Sequence, residues 1–175
     1  GFPEIDAEHM QAIKDSKRIA VPGCHASGYV ALVYPLVKNG ILDEKALLTC
    51  HSITGYSGGG KKMIAEYEGE ERSELLDAPR QYGLTQNHKH LKEMKAIPGL
   101  AVEPLFTPIV ADYYSGMIVS LPLYTSMLRL NSESIAIAKI HVPYICSATL
   151  STLVLSIFQF FQPFLINSFN SVANK

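Results

Sequence analysis

The chain has 175 residues, of which 47% are hydrophobic and 18% are charged, so it can form one good-sized hydrophobic core or two small ones. Its formal net charge is -1, and no cluster of Lys or Arg is larger than Lys61-Lys62. A nucleic-acid-binding surface is therefore not expected, whereas small anions are compatible ligands.

The cysteines Cys24, Cys50 and Cys146 are odd in number, widely spaced and outside any CxxC pair. This pattern argues against a disulfide framework and a zinc site, and it favours a reducing, cytoplasmic setting. The chain opens with Gly1-Phe2-Pro3-Glu4, without an initiator Met or a charged leader followed by an apolar run. We therefore expect no signal peptide and interpret the sequence as a piece of a longer chain.

The front of the chain predicts two helices with a short strand and a turn between them. Asp6 to Lys14 carries acidic residues early and Lys late, which is typical of a short helix. Arg18 to Val21 predicts a strand, and Pro22-Gly23 predicts a tight turn. The apolar run Ala26 to Val37 predicts a helix that ends at Asn39-Gly40.

The middle of the chain predicts a strand over Leu47 to Thr54. Gly55 to Lys62 contains too many glycines for a helix or a strand, so we expect a loop there. The charged stretch Glu66 to Asp77 predicts a solvated segment, interpreted as one helix. Gln81 to His90 predicts an extended run, and Leu91 to Ala96 predicts a short helix.

Two further stretches, Ala101 to Val110 and Gly116 to Tyr124, are rich in strand-forming residues, with prolines that suit edges or bends. The order of strand, helix, strand and then several strands with short helices is typical of an α+β domain. We expect a mixed β-sheet with helices packed on one face.

The C-terminal part of the chain changes abruptly in composition. Residues 142–174 contain no charged side chain. Such a run is long enough for a membrane helix, yet Ser, Thr, Gln and Pro dilute it and no polybasic flank sets an orientation. A buried hairpin or helix is the favoured interpretation; the alternatives are membrane insertion and a tail foreign to the rest of the chain.

Cys24 follows the predicted turn and stands where the predicted strand gives way to a helix. At a helix N-terminus the unpaired N–H groups and the dipole favour an anion, which lowers the pKa of a thiol. We therefore predict a reactive thiolate able to attack an acyl carbon. The alternative is a Cys buried as a small apolar side chain.

The glycine-rich segment Gly55 to Lys61 fits the spacing GxxxxGK of a phosphate-binding loop, but Lys62 follows where Ser or Thr is needed to hold Mg²⁺. No clean helix is expected after it either. A nucleotide triphosphatase is therefore not expected. Backbone N–H groups with Ser57 and Lys61 can still cradle a single phosphate or carboxylate, the alternative being a flexible surface hairpin.

His88-Lys89-His90 places two imidazoles two residues apart, on the same side of a strand. One of them can serve as the acid/base that a thiolate enzyme needs. A metal pair lacks a third ligand at a persuasive spacing, so no metal is expected. The remaining alternative is surface histidines without a chemical role.

Three segments in this order carry a family resemblance: residues 22–28 (Pro22-Gly23-Cys24-His25-Ala26-Ser27-Gly28), residues 52–62, and residues 82–90. From about Gly1 to about Leu128 the chain resembles N-acetyl-γ-glutamyl-phosphate reductase, the NADPH-dependent enzyme of arginine biosynthesis, and in particular its shorter-chain branch. That family is related to aspartate-semialdehyde and glyceraldehyde-3-phosphate dehydrogenases, which join a Rossmann domain to an α+β catalytic domain.

The resemblance implies a reaction and a role for each motif. Cys24 attacks the γ-acyl phosphate of N-acetylglutamyl phosphate, phosphate leaves, and NADPH reduces the thioester to N-acetylglutamate semialdehyde. His88 or His90 is the acid/base, with no ground for choosing between them. The resemblance also implies residues that bind the substrate's phosphate or carboxylate (Ser57, Gly58, Gly59, Lys61 and Arg80) and residues that contact the cofactor (Gly23 and His25).

Two departures from the family limit what this chain does alone. It has no GxGxxG, so the N-terminal Rossmann domain is missing and NADP(H) is expected to be bound mostly by a domain absent from this chain. Gly1 to about Lys17 is then the end of that domain or a linker, and residues 1–130 are the catalytic domain. Residues 131–175 match nothing in the family.

A homo-oligomer is expected, because related catalytic domains pair across their sheets. The alternative functions are a sister semialdehyde dehydrogenase acting on another acyl phosphate, and a non-catalytic oligomerisation or membrane-associated fragment.

Overall fold

The computed structural model of the chain describes residues 1–129, 145–148 and 152–159. Its helices are α1 (Ala7–Asp15), α2 (Cys24–Lys38), α3 (Gly60–Glu68) and α4 (His90–Ala96). Its strands are β1 (Thr49–Gly55), β2 (Arg80–Gln81), β3 (Leu105–Ala111), β4 (Met117–Tyr124), β5 (Ile145–Ala148) and β6 (Thr152–Gln159).

The described strands form a mixed six-stranded sheet in the order β2-β3-β1-β4-β6-β5. β1 and β3 run parallel, and the other neighbouring pairs run antiparallel. This arrangement confirms the predicted mixed sheet. Pro108, expected at an edge or a bend, instead lies within β3, whose outer neighbour β2 spans only two residues.

The helices α2, α3 and α4 cover one face of this sheet. Alternate residues of the central strands point toward them and are buried, among them Cys50, Phe106 and Val119. α2 contributes Tyr29, which is fully buried, to the same core cluster. The predicted α+β fold, with helices on one face, is therefore confirmed.

The N-terminal helix α1 is fixed by a capping carboxylate. Asp6 accepts a hydrogen bond from the backbone N–H of His9 at 2.8 Å and another from the hydroxyl of Tyr34 at 2.5 Å. These bonds hold the pKa of Asp6 well below its usual range, with the Tyr34 hydroxyl as the main cause. Asp6 thus ties α1 to α2, which carries Tyr34.

The predicted strand over Arg18 to Val21 is wrong. This segment pairs with none of the described strands, and Ile19 and Val21 are exposed. Its β-branched residues favour an extended backbone, but a strand also needs a neighbouring strand to satisfy its N–H and C=O groups. The segment is instead an extended lead into α2.

The predicted loop over Gly55 to Lys62 is also wrong, because α3 begins inside it at Gly60. Gly60 has a φ of +74°, which turns the chain into the helix, and the residues from Lys61 to Glu68 are free of glycine and favour a helix. The strand-to-helix connection is therefore a short 3₁₀ turn over Tyr56–Gly59.

Two predictions in the next segment are wrong for a similar reason. Glu66 to Asp77 is not one helix, because α3 ends at Glu68 before Gly69 and a separate 3₁₀ turn covers Glu74–Asp77. Gln81 to His90 is not extended beyond β2, because Gly83 and Gln86 have φ values of +64° and +53° and reverse the chain.

Part of the apolar C-terminal segment joins the sheet. β6 pairs with β4 from Met117↔Gln159 to Tyr124↔Thr152, and β5 pairs with β6. The rest of residues 131–175 lies outside the described residues. Among the described residues, no helix combines the length and hydropathy that would be needed to cross a bilayer.

Candidate active site

A cavity of about 480 Å³ opens where α2 begins, between the glycine turn after β1 and the segment that leads into α4. It brings together Cys24, His88 and His90, which the sequence had predicted from separate motifs. Its remaining lining residues are Val21, Pro22, Gly23, His25, Thr54, Gly58, Gly59, Met63, Tyr82, Lys89, Glu93 and Val110.

Cys24 is the first residue of α2 and is only partly buried. The first hydrogen bond of the helix spans this residue, since the N–H of Ser27 donates to the carbonyl of Gly23 at 2.8 Å. Burial raises the pKa of the Cys24 thiol, and this outweighs the backbone N–H groups of His25 and Cys24 and the charge of Lys89, all of which lower it. The predicted lowering of the Cys24 pKa is therefore wrong: the helix N-terminus is present, but desolvation is the larger effect.

His25, next to Cys24, is buried with 3% of its surface exposed. Its Nδ1 lies 2.7 Å from the Ser52 hydroxyl and its Nε2 lies 2.8 Å from the Tyr82 hydroxyl. Burial, with the nearby His90 and His88, lowers the pKa of His25 to about 3, so the ring is neutral and bridges two hydroxyl groups. A role of His25 in cofactor binding stays a prediction, and both of its ring nitrogens are occupied by protein groups.

His88 and His90 lie side by side, with ring centroids 4.6 Å apart. They do not alternate on a strand as expected: His90 is the first residue of α4, and its N–H donates to Nδ1 of His88 at 3.3 Å. Burial lowers the pKa of each imidazole, helped by Lys89 at His88 and by His88 at His90. Both rings are therefore neutral bases near neutral pH.

The first turn of α4 contacts the turn that precedes Cys24 through one hydrogen bond and one packed ring. The carboxylate of Glu93 accepts a hydrogen bond from the N–H of Gly23 at 2.9 Å. The His90 ring lies against the same glycine, because a Cβ built on Gly23 would fall 2.1 Å from Cδ2 and Nε2 of His90. Sequence reasoning missed Glu93 because this contact joins residues 70 positions apart.

Substitution of Gly23 by alanine is expected to lower the free energy of unfolding by about 1–3 kcal/mol, since the added methyl overlaps the His90 ring. The φ of Gly23 is -64°, which suits any residue, so the loss comes from space alone. Urea unfolding measures it. In a His90→Ala background the same substitution is expected to have less than half of that effect, and equal losses in both backgrounds would contradict the packing argument.

Two of the five predicted anion-binding residues line this cavity and three do not. Gly58 and Gly59 line the cavity, whereas Ser57 and Lys61 are not among its lining residues. Arg80 lies on a separate cavity, and its guanidinium binds both carboxylate oxygens of Glu66 at 2.9 and 2.8 Å. Their roles in substrate binding therefore stay predictions. In the part of the chain that the structure describes, no group of His, Cys, Asp and Glu has the arrangement of a metal site.

Comparison with known proteins places this chain in a dehydrogenase family. The family model described as "Semialdehyde dehydrogenase, dimerisation domain" matches residues 24–141. The chain belongs to this family. An aspartate semialdehyde dehydrogenase II from Vibrio cholerae has the same fold, with a TM-score of 0.57 at 12% sequence identity over 89% of this chain and 61% of that one.

The sequence relatives are more specific. N-acetyl-gamma-glutamyl-phosphate reductases from Chelativorans sp. (strain BNC1) and Rhizobium meliloti (strain 1021) are 46% and 43% identical over 125 residues, covering 70% and 71% of this chain. That of Rhizobium etli is 37% identical over 142 residues. These identities confirm the resemblance recognised in the three motifs. The chain spans 39%, 40% and 45% of the length of these relatives.

Proposed function

We propose that this chain carries the acyl-transfer half of an N-acetyl-γ-glutamyl-phosphate reductase, with residues 1–130 as the catalytic domain. The observation that supports this proposal most directly is the placement of Cys24 at the start of α2 in one cavity with two neutral imidazoles. Its sequence relatives carry that enzyme name. The cytoplasm is the expected compartment.

The first step needs a base because burial raises the pKa of the Cys24 thiol. A neutral imidazole accepts the proton from Sγ of Cys24 as the sulfur attacks the acyl carbon. The S–C bond forms, the bond from the acyl carbon to the phosphate oxygen breaks, and inorganic phosphate leaves with the bonding electron pair. The product is a thioester on Cys24 and an imidazolium that can return its proton to the departing phosphate.

We propose His90 as this base. Its ring lies against Gly23, directly before Cys24, and its buried Nδ1 has no hydrogen-bond partner among the described residues. The backbone N–H groups of Cys24 and His25 already lie near Sγ and favour negative charge there. They are suited to stabilise the oxyanion that develops on the acyl oxygen.

NADP(H) is the proposed cofactor and supplies a hydride to the thioester when it is bound. The two residues predicted to contact it do not fit a dinucleotide site by themselves. The Gly23 N–H is bound to Glu93, and both nitrogens of His25 are occupied. We therefore propose that the cofactor is held mostly by residues outside this chain.

The proposed function is tested by incubating the chain with N-acetylglutamyl phosphate generated in the same vessel. Mass spectrometry of the Cys24 peptide is expected to show the N-acetylglutamyl adduct, formed together with one equivalent of phosphate. The same measurement with aspartyl phosphate tests a sister semialdehyde dehydrogenase. An unmodified Cys24 with both acyl phosphates would contradict an acyl-transfer function.

We further propose that the second face of the sheet pairs with a second copy of the chain. Ile53 is in register with Ile109 on β3 and with Ile118 on β4, so an apolar row crosses the three central strands. None of the helices α2, α3 and α4 covers this face. Ile53 is 38% exposed, and a sheet face that carries such an apolar row is a candidate interface. The family model's description as a dimerisation domain supports this proposal.

Ile53→Lys is expected to weaken self-association by about 100-fold or more, because it places a charge at the centre of the proposed interface. Ile97→Lys is the matched control, since Ile97 is 39% exposed against 38% for Ile53 but lies beyond the end of α4. Sedimentation velocity over a range of concentrations measures both. A monomeric wild-type chain, or equal weakening by both variants, would contradict the interface.

A further inference from the structure

Lys89 gives the Cys24 cavity its positive charge. It is the one Lys or Arg among the described residues that line the cavity, and its side chain is exposed. Its charge lowers the pKa of Cys24, of His88 and of His90, so the ammonium group acts on all three of the proposed reacting side chains.

The other charge on the cavity wall is negative and already engaged. Glu93 is the one carboxylate among the described lining residues, and it accepts the hydrogen bond of the Gly23 N–H. An acyl phosphate that enters this cavity brings a phosphate group. If it derives from a dicarboxylic acid, it also brings one free carboxylate. An oxyanion bound here is repelled by the carboxylate of Glu93 and by the negative charge that develops on the sulfur. A cation is needed to offset this repulsion.

The cations predicted for this task from the sequence lie elsewhere. Arg80 holds Glu66 with two hydrogen bonds and contributes to a different cavity. Lys61, on the first turn of α3, is not among the lining residues of the Cys24 cavity. Lys89 lies between His88 and His90 in the sequence and lines the same cavity as Cys24, so its ammonium group is the cation on that wall nearest in the chain to both imidazoles.

We propose that Lys89 forms an oxyanion subsite that binds the phosphoryl or the carboxylate group of the acyl phosphate and so selects anionic substrates for Cys24. This inference rests on the proposed function of the cavity. The ligand class is a compact oxyanion, held by the Lys89 ammonium on one wall with the backbone of Gly58 and Gly59 also lining the cavity.

The test uses the chain itself and the alkylation of Cys24 by iodoacetamide, a neutral reagent that needs no cofactor. The rate is followed by mass spectrometry of the Cys24 peptide while inorganic phosphate is raised at constant ionic strength. A parallel series uses N-acetylglutamate. Protection by phosphate assigns the subsite to the phosphoryl group, and protection by N-acetylglutamate assigns it to the carboxylate.

Lys89→Met is expected to raise the half-protecting anion concentration by about tenfold or more, whereas Lys89→Arg is expected to keep protection. Lys92→Met is the matched control, because Lys92 is exposed on α4 outside the cavity lining, and it is expected to behave as wild type. Arg80→Met tests the competing cation.

Three results would overturn the subsite: no protection of the wild-type chain by either anion, an unchanged half-protecting concentration in Lys89→Met, or an equal shift in Lys92→Met. Loss of protection in Arg80→Met alone would move the subsite to Arg80. Alkylation does not depend on acyl transfer. Failure of the proposed function, seen as an unmodified Cys24 with acyl phosphates, is therefore distinguishable from failure of the subsite.

Discussion

Cys24→Ser is expected to lower the rate of phosphate release from N-acetylglutamyl phosphate by about 10³-fold or more, with no adduct on the peptide that carries residue 24. A serine hydroxyl is a much weaker nucleophile than sulfur, and a neutral imidazole deprotonates it poorly. Because burial raises the pKa of Cys24, proton removal from sulfur is already part of the work that the imidazoles must do. Substituting an even weaker acid makes this step harder.

Cys50→Ala is the matched control for this experiment. Cys50 lies on β1 with none of its surface exposed, and burial raises its pKa to about 12, so it is not a competing nucleophile. The Cys50→Ala variant is expected to transfer the acyl group at the wild-type rate when the assay is run at low temperature, where both proteins are folded. Phosphate release that persists in Cys24→Ser would contradict the assignment of the nucleophile.

His90→Gln is expected to slow acyl transfer by about 100-fold or more, because general acid/base catalysis contributes that much. His88→Gln is expected to slow it by less than about tenfold, since His88 is the less buried of the two and its Nδ1 accepts the His90 N–H. Comparing the two variants decides a choice that the sequence left open.

The pH dependence gives a second readout for the same pair. The base must be unprotonated, and the pKa of His90 is lowered by burial and by His88. The neutral form therefore persists below the ordinary histidine range, so the wild-type rate is expected to fall only at pH values below the range in which an exposed histidine titrates. This acid limb should disappear in His90→Gln and stay in His88→Gln; the reverse outcome would assign the base to His88.

The helices and strands that carry the cavity were largely predictable. The apolar run that became α2, the alternation that became β1 and the short α4 are local patterns, and each was found with small errors at its ends. The failures have two causes: Arg18 to Val21 lacked a partner strand, and Gly60 and Gly83, each with a positive φ, redirected the chain. One residue with a positive φ can end or start an element whatever its neighbours favour.

The sequence linked Cys24 to His88 and His90 through their chemistry and through the family resemblance, but it could not predict that the three side chains share one cavity. Nothing in their spacing brings the start of α2 next to the start of α4; the packing of both helices on one face of the sheet does so. The same packing seals His25 between Ser52 and Tyr82, which lie 27 and 57 positions away along the chain.

The sequence by itself determined the family of this protein and its main elements, because motifs and periodic patterns are properties of neighbouring residues; it also predicted Cys24 as the nucleophile. Only the tertiary structure decided that burial raises the pKa of the Cys24 thiol, that Gly23 leaves room for His90, and that Lys89 is the cation among the described residues of the cavity wall. The physical reason is that desolvation, steric overlap and electrostatic interaction depend on distances in space, and those distances are set by residues far apart in the chain.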